Sequence, residues 1–230
     1  MFSEEGTKSN LFDEWPDQYD RWFETPVGLL VKRYESELIL GLLKPRPGEM
    51  ILDVGCGTGV FTVDILSFGP LVVGLDISKP MLVRAVKKAN KNKFRGVVGD
   101  MMTLPFADGS FDKVVSITAL EFIENGKGAV VELFRVAKKG GVIVTATLNS
   151  LSPWASRRKH EADKGHSIFS RTIFRSPEDM RSIAPTEGEV KTAIHFQKDD
   201  DPLTIPKMEC DGCKKGLFTG AFLAARWEKH

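Results

Sequence analysis

The chain has 230 residues, of which 42% are hydrophobic and 27% charged, and its formal net charge is +1. This composition is ordinary for one globular domain, and so small a charge gives no global attraction to nucleic acid or to an anionic membrane. No apolar run approaches the roughly 20 residues that span a bilayer, and residues 1–10 are too polar for a signal peptide. We therefore expect a single domain over residues 1–230, without a membrane span, in the cytoplasm.

The first predicted helix follows a polar N-terminal segment, residues 1–27, that contains several aromatic side chains. Residues 28–43 have the pattern of an amphipathic helix, because large side chains recur there at helical intervals. These side chains are Leu30, Tyr34, Leu38 and Leu42. Prolines and a glycine in residues 44–48 end the helix and lead into the first predicted strand.

A short buried strand and a glycine loop come next. Residues 50–54 are apolar apart from Asp53 and too short for a core helix, which predicts a central parallel strand. Three glycines at alternate positions follow, and residues 60–68 have helical spacing. Glycines let the backbone turn tightly and approach a ligand closely. A loop between a strand and a helix N-terminus is where open α/β sheets bind nucleotide-like ligands.

The next two predicted strands each end in an acidic residue. Residues 71–75 lead to Asp76, near the distance from the glycine loop at which a carboxylate binds ribose hydroxyls. Residues 94–99 lead to Asp100 and Met101, an acid and an apolar side chain suited to the amino group and ring face of an adenine. The glycines are spaced G-x-G-x-G and not G-x-G-x-x-G, which disfavours a nicotinamide-dependent oxidoreductase.

Strands and helices continue to alternate further along the chain. The pattern predicts a helix over residues 79–90, a strand over 111–117, a helix over 128–137 and a strand over 142–147. Each strand–helix–strand step can form a right-handed crossover. The sequence therefore predicts an α/β fold with a parallel sheet.

Four stretches resemble the motifs of the class I S-adenosylmethionine-dependent methyltransferases, within them the type 11 group that includes the ubiquinone and menaquinone C-methyltransferases. They are residues 51–59, 74–82, 99–112 and 138–141, and the resemblance spans residues 19–148. It implies a Rossmann-like, three-layer sandwich with a seven-stranded, mostly parallel sheet, helices on both faces and an antiparallel final strand. It also implies S-adenosylmethionine as the cofactor and S-adenosylhomocysteine as the product.

The resemblance further implies a set of cofactor-binding residues. Asp53 would orient the glycine loop and the amino-acid part of the cofactor, and Asp76 would hold the ribose. Ile77, Asp100 and Met101 would bind the adenine. The complete expected set is Tyr19, Asp53, Gly55, Cys56, Gly57, Gly59, Asp76, Ile77, Asp100, Met101 and Thr118. The alternative roles are strand-end capping for Asp53 and Asp76, and turn formation for Asp100.

Two regions are expected to cover the site. Residues 1–27 match, through Tyr19 and Trp22, a segment that folds over the cofactor in similar enzymes. Trp22 is alternatively a packing anchor. The regular alternation stops within residues 149–187, which we interpret as an insertion that covers the substrate. The alternative for this insertion is a solvated surface excursion.

The end of the chain is predicted to add one helix and two strands. Ser176 has the features of a helix N-cap, because Pro177 follows at the first helical position. Residues 190–197 and 217–227 have the composition of strands that would pair antiparallel. Residues 199–202, three aspartates and a proline, are expected to lie in a solvated loop between them.

Two residues are candidates for a catalytic base, Glu121 and His166. Glu121 follows the fourth strand at the carboxyl edge of the sheet, where many relatives have a His-containing pattern. A partly buried carboxylate with a raised pKa can accept a proton from a phenol or an enol. Capping of the next helix is the alternative role. His166 lies in the expected substrate cover. Neither is obligatory, since methyl transfer from a sulfonium mainly requires alignment and the exclusion of water.

The three cysteines predict no disulfide framework, and no metal ligand is predicted. Cys56 lies in the glycine loop, while Cys210 and Cys213 form a C-x-x-C motif. A structural zinc site needs four ligands, so His195 and His230 would have to complete it. We expect two reduced thiols or a redox-sensitive loop instead. Arsenic methylation would require all three cysteines to converge.

The sequence as a whole predicts an enzyme that methylates a small or medium-sized acceptor, apolar and aromatic or quinone-like. Methylation of RNA or protein is an alternative supported only by the basic residues 157–160, and nucleic acid is not expected as a partner. A non-catalytic module that binds S-adenosylmethionine is compatible with the same motifs. The acceptor atom and the oligomeric state are left open.

Overall fold

The computed structural model describes residues 12–163 and 168–230, so His166 lies outside the described residues. The described strands are β1 (Met50–Val54), β2 (Leu71–Asp76), β3 (Phe94–Val98), β4 (Phe111–Ile117), β5 (Ala137–Leu148), β6 (Glu189–Ala193) and β7 (Phe222–Glu228). The described α-helices are α1 (Pro16–Glu24), α2 (Pro26–Leu43), α3 (Thr62–Leu66), α4 (Lys79–Lys88), α5 (Gly126–Val136), α6 (Pro153–Asp163), α7 (Pro177–Ser182) and α8 (Ile205–Lys214). Two short 3-10 turns cover Leu120–Phe122 and Ile168–Arg171.

All seven strands form one sheet in the order β3-β2-β1-β4-β5-β7-β6. Strands β1 to β5 run parallel, while β7 pairs antiparallel with both β5 and β6. The chain moves outward from β1 to β3 and then returns to β4 on the other side of β1. This reversal places a topological switch point between the carboxyl ends of β1 and β4, where α/β sheets bind their ligands. The predicted sheet, with its antiparallel final strand, is confirmed.

Helices cover both faces of the sheet. Neighbouring residues of a strand project to opposite faces. Ile51 of β1 accordingly belongs to a core cluster with side chains of α2 and α3, and Leu52 to a second cluster with side chains of α5. Both side chains have no exposed surface. The predicted three-layer arrangement is confirmed.

The longest described helix is α2, with 18 residues. It begins at Pro26, before the predicted start, because the hydroxyl of Thr25 caps it by accepting a hydrogen bond from the Gly28 amide at 3.0 Å. Its buried side includes Glu35 as well as apolar side chains. Among the described helices, none combines the length and the apolar character that a membrane crossing requires.

Besides α1, which lies in the N-terminal segment where no helix was predicted, two helices are not predicted by the sequence. The first is α6, whose polar residues lie in the segment where no regular element was expected; the indole nitrogen of Trp154 anchors it by donating to the carbonyl oxygen of Phe196 at 2.6 Å. The second is α8, which contains a proline and a glycine, residues of low helix propensity. Gly212 of α8 is required by packing, since a Cβ there would lie 2.2 Å from the Cγ of His195.

Several predicted boundaries are also wrong. The helix expected over residues 60–68 shortens to α3, and β5 begins at Ala137 because this residue pairs with Phe111 across a bulge. The strand expected to reach residue 197 ends at Ala193, since Ile194 has a positive φ of 66° that turns the chain. Strand periodicity alone does not indicate such turns.

The cap predicted for α7 is confirmed. The Ser176 hydroxyl accepts a hydrogen bond from the Asp179 amide at 3.1 Å, and the Asp179 carboxylate accepts one from the Ser176 amide at 2.7 Å. Pro177 follows the cap at the first helical position. This reciprocal capping box satisfies backbone donors that a helix start leaves unpaired.

Candidate functional site

The glycine loop is held against the end of β2 by backbone hydrogen bonds. The amides of Gly55 and Cys56 both donate to the carbonyl oxygen of Leu75, at 2.7 and 3.0 Å. Gly55 and Gly57 have positive φ angles of 73° and 55°, which other residues rarely adopt. A Cβ on Gly55 would lie 2.4 Å from the Cβ of Ala119, whereas a Cβ on Gly57 would meet no atom within 4 Å. The backbone at Gly57 is therefore open to a ligand.

Asp76 joins the glycine loop to the start of α4. Its Oδ2 accepts a hydrogen bond from the Gly57 amide and its Oδ1 accepts one from the Ser78 amide, each at 2.8 Å. The residue is 8% exposed, and burial raises the pKa of its carboxyl group against the opposing effect of these hydrogen bonds. A carboxylate has about four acceptor positions. Asp76 can therefore bind a further donor while it holds the loop.

Three residues of the expected cofactor-binding set, in the loop or in the strand before it, do not line the cavity described below. Asp53 is 2% exposed and accepts a 2.6 Å hydrogen bond from the Thr62 hydroxyl, and burial raises its pKa to about 7. Gly59 packs closely against Ala85 of α4. Burial raises the pKa of the Cys56 thiol well above its usual range. These three residues support the loop.

One cavity of about 530 Å³ extends from the glycine loop to α6. The structure brings eight residues of the expected set together around it: Tyr19, Gly55, Gly57, Asp76, Ile77, Asp100, Met101 and Thr118. Most of its other walls are aromatic or aliphatic: Phe12, Trp15, Trp22, Phe23, Ile117, Phe122, Leu148, Trp154 and Phe169. We call the part lined by Gly55, Gly57 and Asp76 the loop end. The α6 end is the part lined by Glu35, Glu121, Trp154, Arg158 and Phe169.

The residues after β2 and β3 form an apolar rim at the cavity. Ile77 follows β2 and is 48% exposed, while Met101 follows β3 and is buried. Asp100 is exposed, and its Oδ1 accepts a hydrogen bond from the Met102 amide at 2.8 Å. Asp100 therefore forms the turn proposed as its alternative role and lines the cavity as well.

Thr118 connects the end of β4 to α1. Its φ of 49° is strained for a β-branched residue, a feature that concentrates at functional sites. Its amide donates to the carbonyl oxygen of Ala146 at 2.9 Å. Its side chain forms a hydrogen bond with the Tyr19 hydroxyl, whose pKa burial raises. Tyr19 thus links α1 to the sheet edge inside the cavity.

Acidic side chains attach α1 to α4 and to the glycine loop. Asp20 accepts a 2.6 Å hydrogen bond from the Thr58 hydroxyl and forms an ion pair with Lys88, with 2.5 Å between Oδ1 and Nζ. Asp17 forms a second ion pair with Arg84. The opposite side of α1 contributes aromatic residues to the cavity wall. The helix therefore lies along the cavity and is attached to α4 and to the glycine loop.

Two buried carboxyl groups reach the α6 end of the cavity. Glu121 is 2% exposed and accepts a 3.2 Å hydrogen bond from the Thr147 hydroxyl, and burial raises its pKa to about 7. Burial raises the pKa of Glu35 to about 8. Glu35 is not among the residues predicted from the sequence. The available signal is its position between Val31 and Ile39, on the buried stripe of α2.

Three basic residues of α6 have partners within the protein or face the cavity. The Arg157 guanidinium pairs with Asp199 at 2.8 Å. Lys159 lies over the ring of Phe174, and Arg158 turns towards the cavity. The geometry therefore weakens the only feature that favoured an RNA substrate.

The C-x-x-C motif lies on α8 and not in a loop, and its cysteines are free thiols. Cys213, Glu209 and His195 place donor atoms within 4.8 Å of one another. Glu209 already accepts hydrogen bonds from the amides of Ile194 and His195, at 3.0 and 2.6 Å. Three donors are fewer than the four of a structural zinc site.

Comparison with known sequences identifies the central part of the chain. A model of a methyltransferase domain matches residues 52–145, from the glycine loop into β5. An uncharacterized protein of Methanocaldococcus jannaschii is 29% identical over 96% of this chain and 99% of its own length. A demethylmenaquinone methyltransferase of Beutenbergia cavernae is 34% identical over 64% of this chain, and the match spans 60% of that relative.

Comparison with solved structures extends the similarity to the whole sheet. The crystal structure of an S-adenosylmethionine-dependent methyltransferase of Thermotoga maritima, described as a possible histamine N-methyltransferase, matches with a TM-score of 0.70. The match covers 95% of this chain and 98% of that one at 22% identity, which establishes a common fold. The family model, the relatives and the fold identify residues 52–145 as a methyltransferase domain similar to those of the type 11 group of class I methyltransferases, enzymes whose methyl donor is S-adenosylmethionine.

Proposed function

We propose that this methyltransferase transfers a methyl group to a small or medium-sized apolar acceptor, aromatic or quinone-like, at the α6 end of the cavity. The observation that supports this proposal is the lining of the cavity, which is mostly aromatic and aliphatic around a few polar groups. Small-molecule sites are concave and have this composition, whereas sites for RNA present an extended basic surface. The volume of about 530 Å³ also lies within the usual range for such sites.

The loop end of the cavity fits the methyl donor. The backbone at Gly57 faces open space, which suits the amino-acid part of the donor, and Asp76 keeps acceptor positions for the ribose hydroxyls. Ile77 and Met101 provide apolar contacts for the adenine, and Asp100 an acceptor for its amino group. When bound, the donor supplies a methyl group on a sulfonium. Asp53 acts indirectly, since it holds α3 behind the loop.

The protein groups at the α6 end align the acceptor, exclude water and receive a proton where the acceptor has one to lose. Glu121 is placed for this last role, because it is buried at the cavity beyond Thr118 and burial raises its pKa to about 7. A base with such a pKa is matched to neutral conditions. His166 remains a proposal for the same role. The name of the demethylmenaquinone methyltransferase relative is consistent with a ring acceptor.

Methyl-labelled S-adenosylmethionine tests this proposal when it is incubated with the enzyme and a cell extract. We expect the label in the organic-extractable small-molecule fraction, and less label there with Glu121→Gln. Label confined to RNA or protein would contradict the small-molecule assignment. Donor binding without transfer to any fraction would instead favour a non-catalytic binding module.

A further inference from the structure

Arg158 has an unsatisfied donor inside the cavity. Its guanidinium lies over two rings, with Cζ 5.1 Å from the centroid of Trp154 and 5.3 Å from that of Phe169. Its Nη1 is buried and has no hydrogen-bond partner among the described residues. Stacking on rings contributes cation–π attraction but leaves the N–H edge unpaired, and a buried unpaired donor is costly. The Nη1 donor of Arg158 is therefore buried without a hydrogen-bond partner.

Neighbouring acids leave the Nη1 of this guanidinium unpaired. Glu35, Glu121 and Glu161 interact electrostatically with Arg158, but none of them accepts a hydrogen bond from Nη1. Burial raises the pKa values of Glu35 and Glu121 to about 8 and about 7, which reduces their negative charge at neutral pH, and Glu161 pairs with Arg157 at 3.4 Å. Burial also lowers the pKa of Arg158, but a guanidinium keeps its proton in proteins. Lys198 lines the same cavity and adds a second positive charge.

We propose that Arg158 binds a carboxylate on the methyl acceptor, so that the acceptor is an apolar acid; this inference rests on the proposed function of the cavity. A guanidinium binds a carboxylate through two parallel N–H···O hydrogen bonds, which would satisfy the unpaired Nη1. The rings of Trp154 and Phe169 fix the plane of the guanidinium in advance. The aliphatic wall then receives the remainder of the acceptor.

Binding of matched acids and amides tests the proposal without knowledge of the natural acceptor. The probes are 2-naphthoate with 2-naphthamide and decanoate with decanamide, each titrated by calorimetry into enzyme saturated with S-adenosylhomocysteine. We expect at least one acid to bind about tenfold or more tightly than its amide, the difference that a charge-assisted hydrogen bond provides. Arg158→Gln should abolish this preference.

Two further variants distinguish recognition of a carboxylate from the general effect of removing a positive charge. Lys159→Gln removes a charge from the same helix but outside the cavity lining, and should keep the preference for acids. Arg158→Lys should retain part of it, since an ammonium keeps the charge without the planar fork. If Arg158→Gln does not fold, Arg158→Lys provides the comparison with the wild type.

The outcomes distinguish this inference from the function on which it depends. Equal binding of both acids and amides by the wild type, or a preference that survives in Arg158→Gln, would overturn the role of Arg158 while S-adenosylhomocysteine still binds. Failure of the wild type to bind S-adenosylhomocysteine would contradict the proposed function itself.

Discussion

Asp76 shows how a single side chain connects the stability of the glycine loop with ligand binding. Its two carboxylate oxygens hold the Gly57 and Ser78 amides, and Asp76 and Gly57 both line the loop end. Removal of the carboxylate would leave these amides without their acceptor and remove the proposed ribose contact. The residue therefore acts on binding both through the loop and directly.

We expect Asp76→Ala to weaken the binding of S-adenosylhomocysteine at least about tenfold, because hydrogen bonds to a charged group contribute about 1.5–3 kcal/mol each. Isothermal titration calorimetry measures this change. Asp108→Ala is the control, since Asp108 is exposed and pairs with Arg135 away from the cavity. Unchanged affinity in Asp76→Ala would contradict the assignment.

The buried Glu35 predicts how stability changes with pH. In the unfolded chain its pKa would be about 4.3, whereas burial raises it to about 8 in the folded protein. Between these values the folded state binds a proton that the unfolded state has lost. The contribution of Glu35 to the free energy of unfolding is therefore fully present below its unfolded pKa and is lost as the pH rises through its folded pKa.

Glu35→Gln should remove this dependence, because the amide resembles the protonated acid and does not titrate. Relative to the wild type, the variant should gain about 2 kcal/mol or more between about pH 5 and about pH 9, measured by urea unfolding. Glu37→Gln, an exposed position on the same helix, should follow the wild type. Parallel pH curves for Glu35→Gln and wild type would refute a raised pKa.

Several residues that line the cavity were predictable because each lies at or just after the end of a strand, in a recognisable motif. Asp76, Asp100 and Thr118 all come directly after or close to a strand end, and parallel strands bring these ends together. Glu35 and Arg158 were not predicted as site residues. They reach the cavity from helices, and their meeting depends on how α2 and α6 pack, which local spacing does not encode.

Among the helices, α1 depends most on charged contacts. Its ion pairs with Lys88 and Arg84 connect it to α4, and Asp20 also binds the Thr58 hydroxyl of the glycine loop. Its side chains are at most partly buried, and the rings of Trp22 and Phe23 pack against the core. The attachment of α1 to the protein therefore depends on both charged and apolar contacts.

Asp20→Asn should loosen α1, since it removes the charge that binds Lys88 and weakens the contact with Thr58. We expect faster hydrogen–deuterium exchange in residues 16–24 and weaker binding of S-adenosylhomocysteine. Glu24→Gln, an exposed change on the same helix, should leave both unchanged. Unaltered exchange in Asp20→Asn would show that other contacts hold the helix.

Helices of ordinary composition were predictable, and α6 and α8 were not. The apolar stripe of α2 and the cap of α7 are local signals, and both elements formed where expected within a few residues. The polar α6 and the Gly- and Pro-containing α8 lack such signals. Their stability comes from tertiary contacts, such as the hydrogen bond from Trp154 to the Phe196 carbonyl.

At the scale of the whole molecule, the seven-stranded sheet with its antiparallel final strand followed from the family resemblance, while the sequence itself supported the alternation of strands and helices. The matched domain ends within β5, yet β7 pairs with β5 along seven residues from Val142 to Leu148 and continues the same core. Trp227 of β7 is 1% exposed and packs near Phe134 of α5. We propose on this basis that residues 1–230 form one domain.

The charged contacts of α1 also affect how rapidly a ligand leaves the cavity. With the spent donor at the loop end, as proposed, this helix lies beside it, and movement of the helix would assist its departure. Exposed ion pairs are screened as the ionic strength rises. If departure of the product limits turnover, moderate salt will accelerate the enzyme at saturating donor while it weakens donor affinity, a response opposite in sign to that of an enzyme whose substrate is steered by charge.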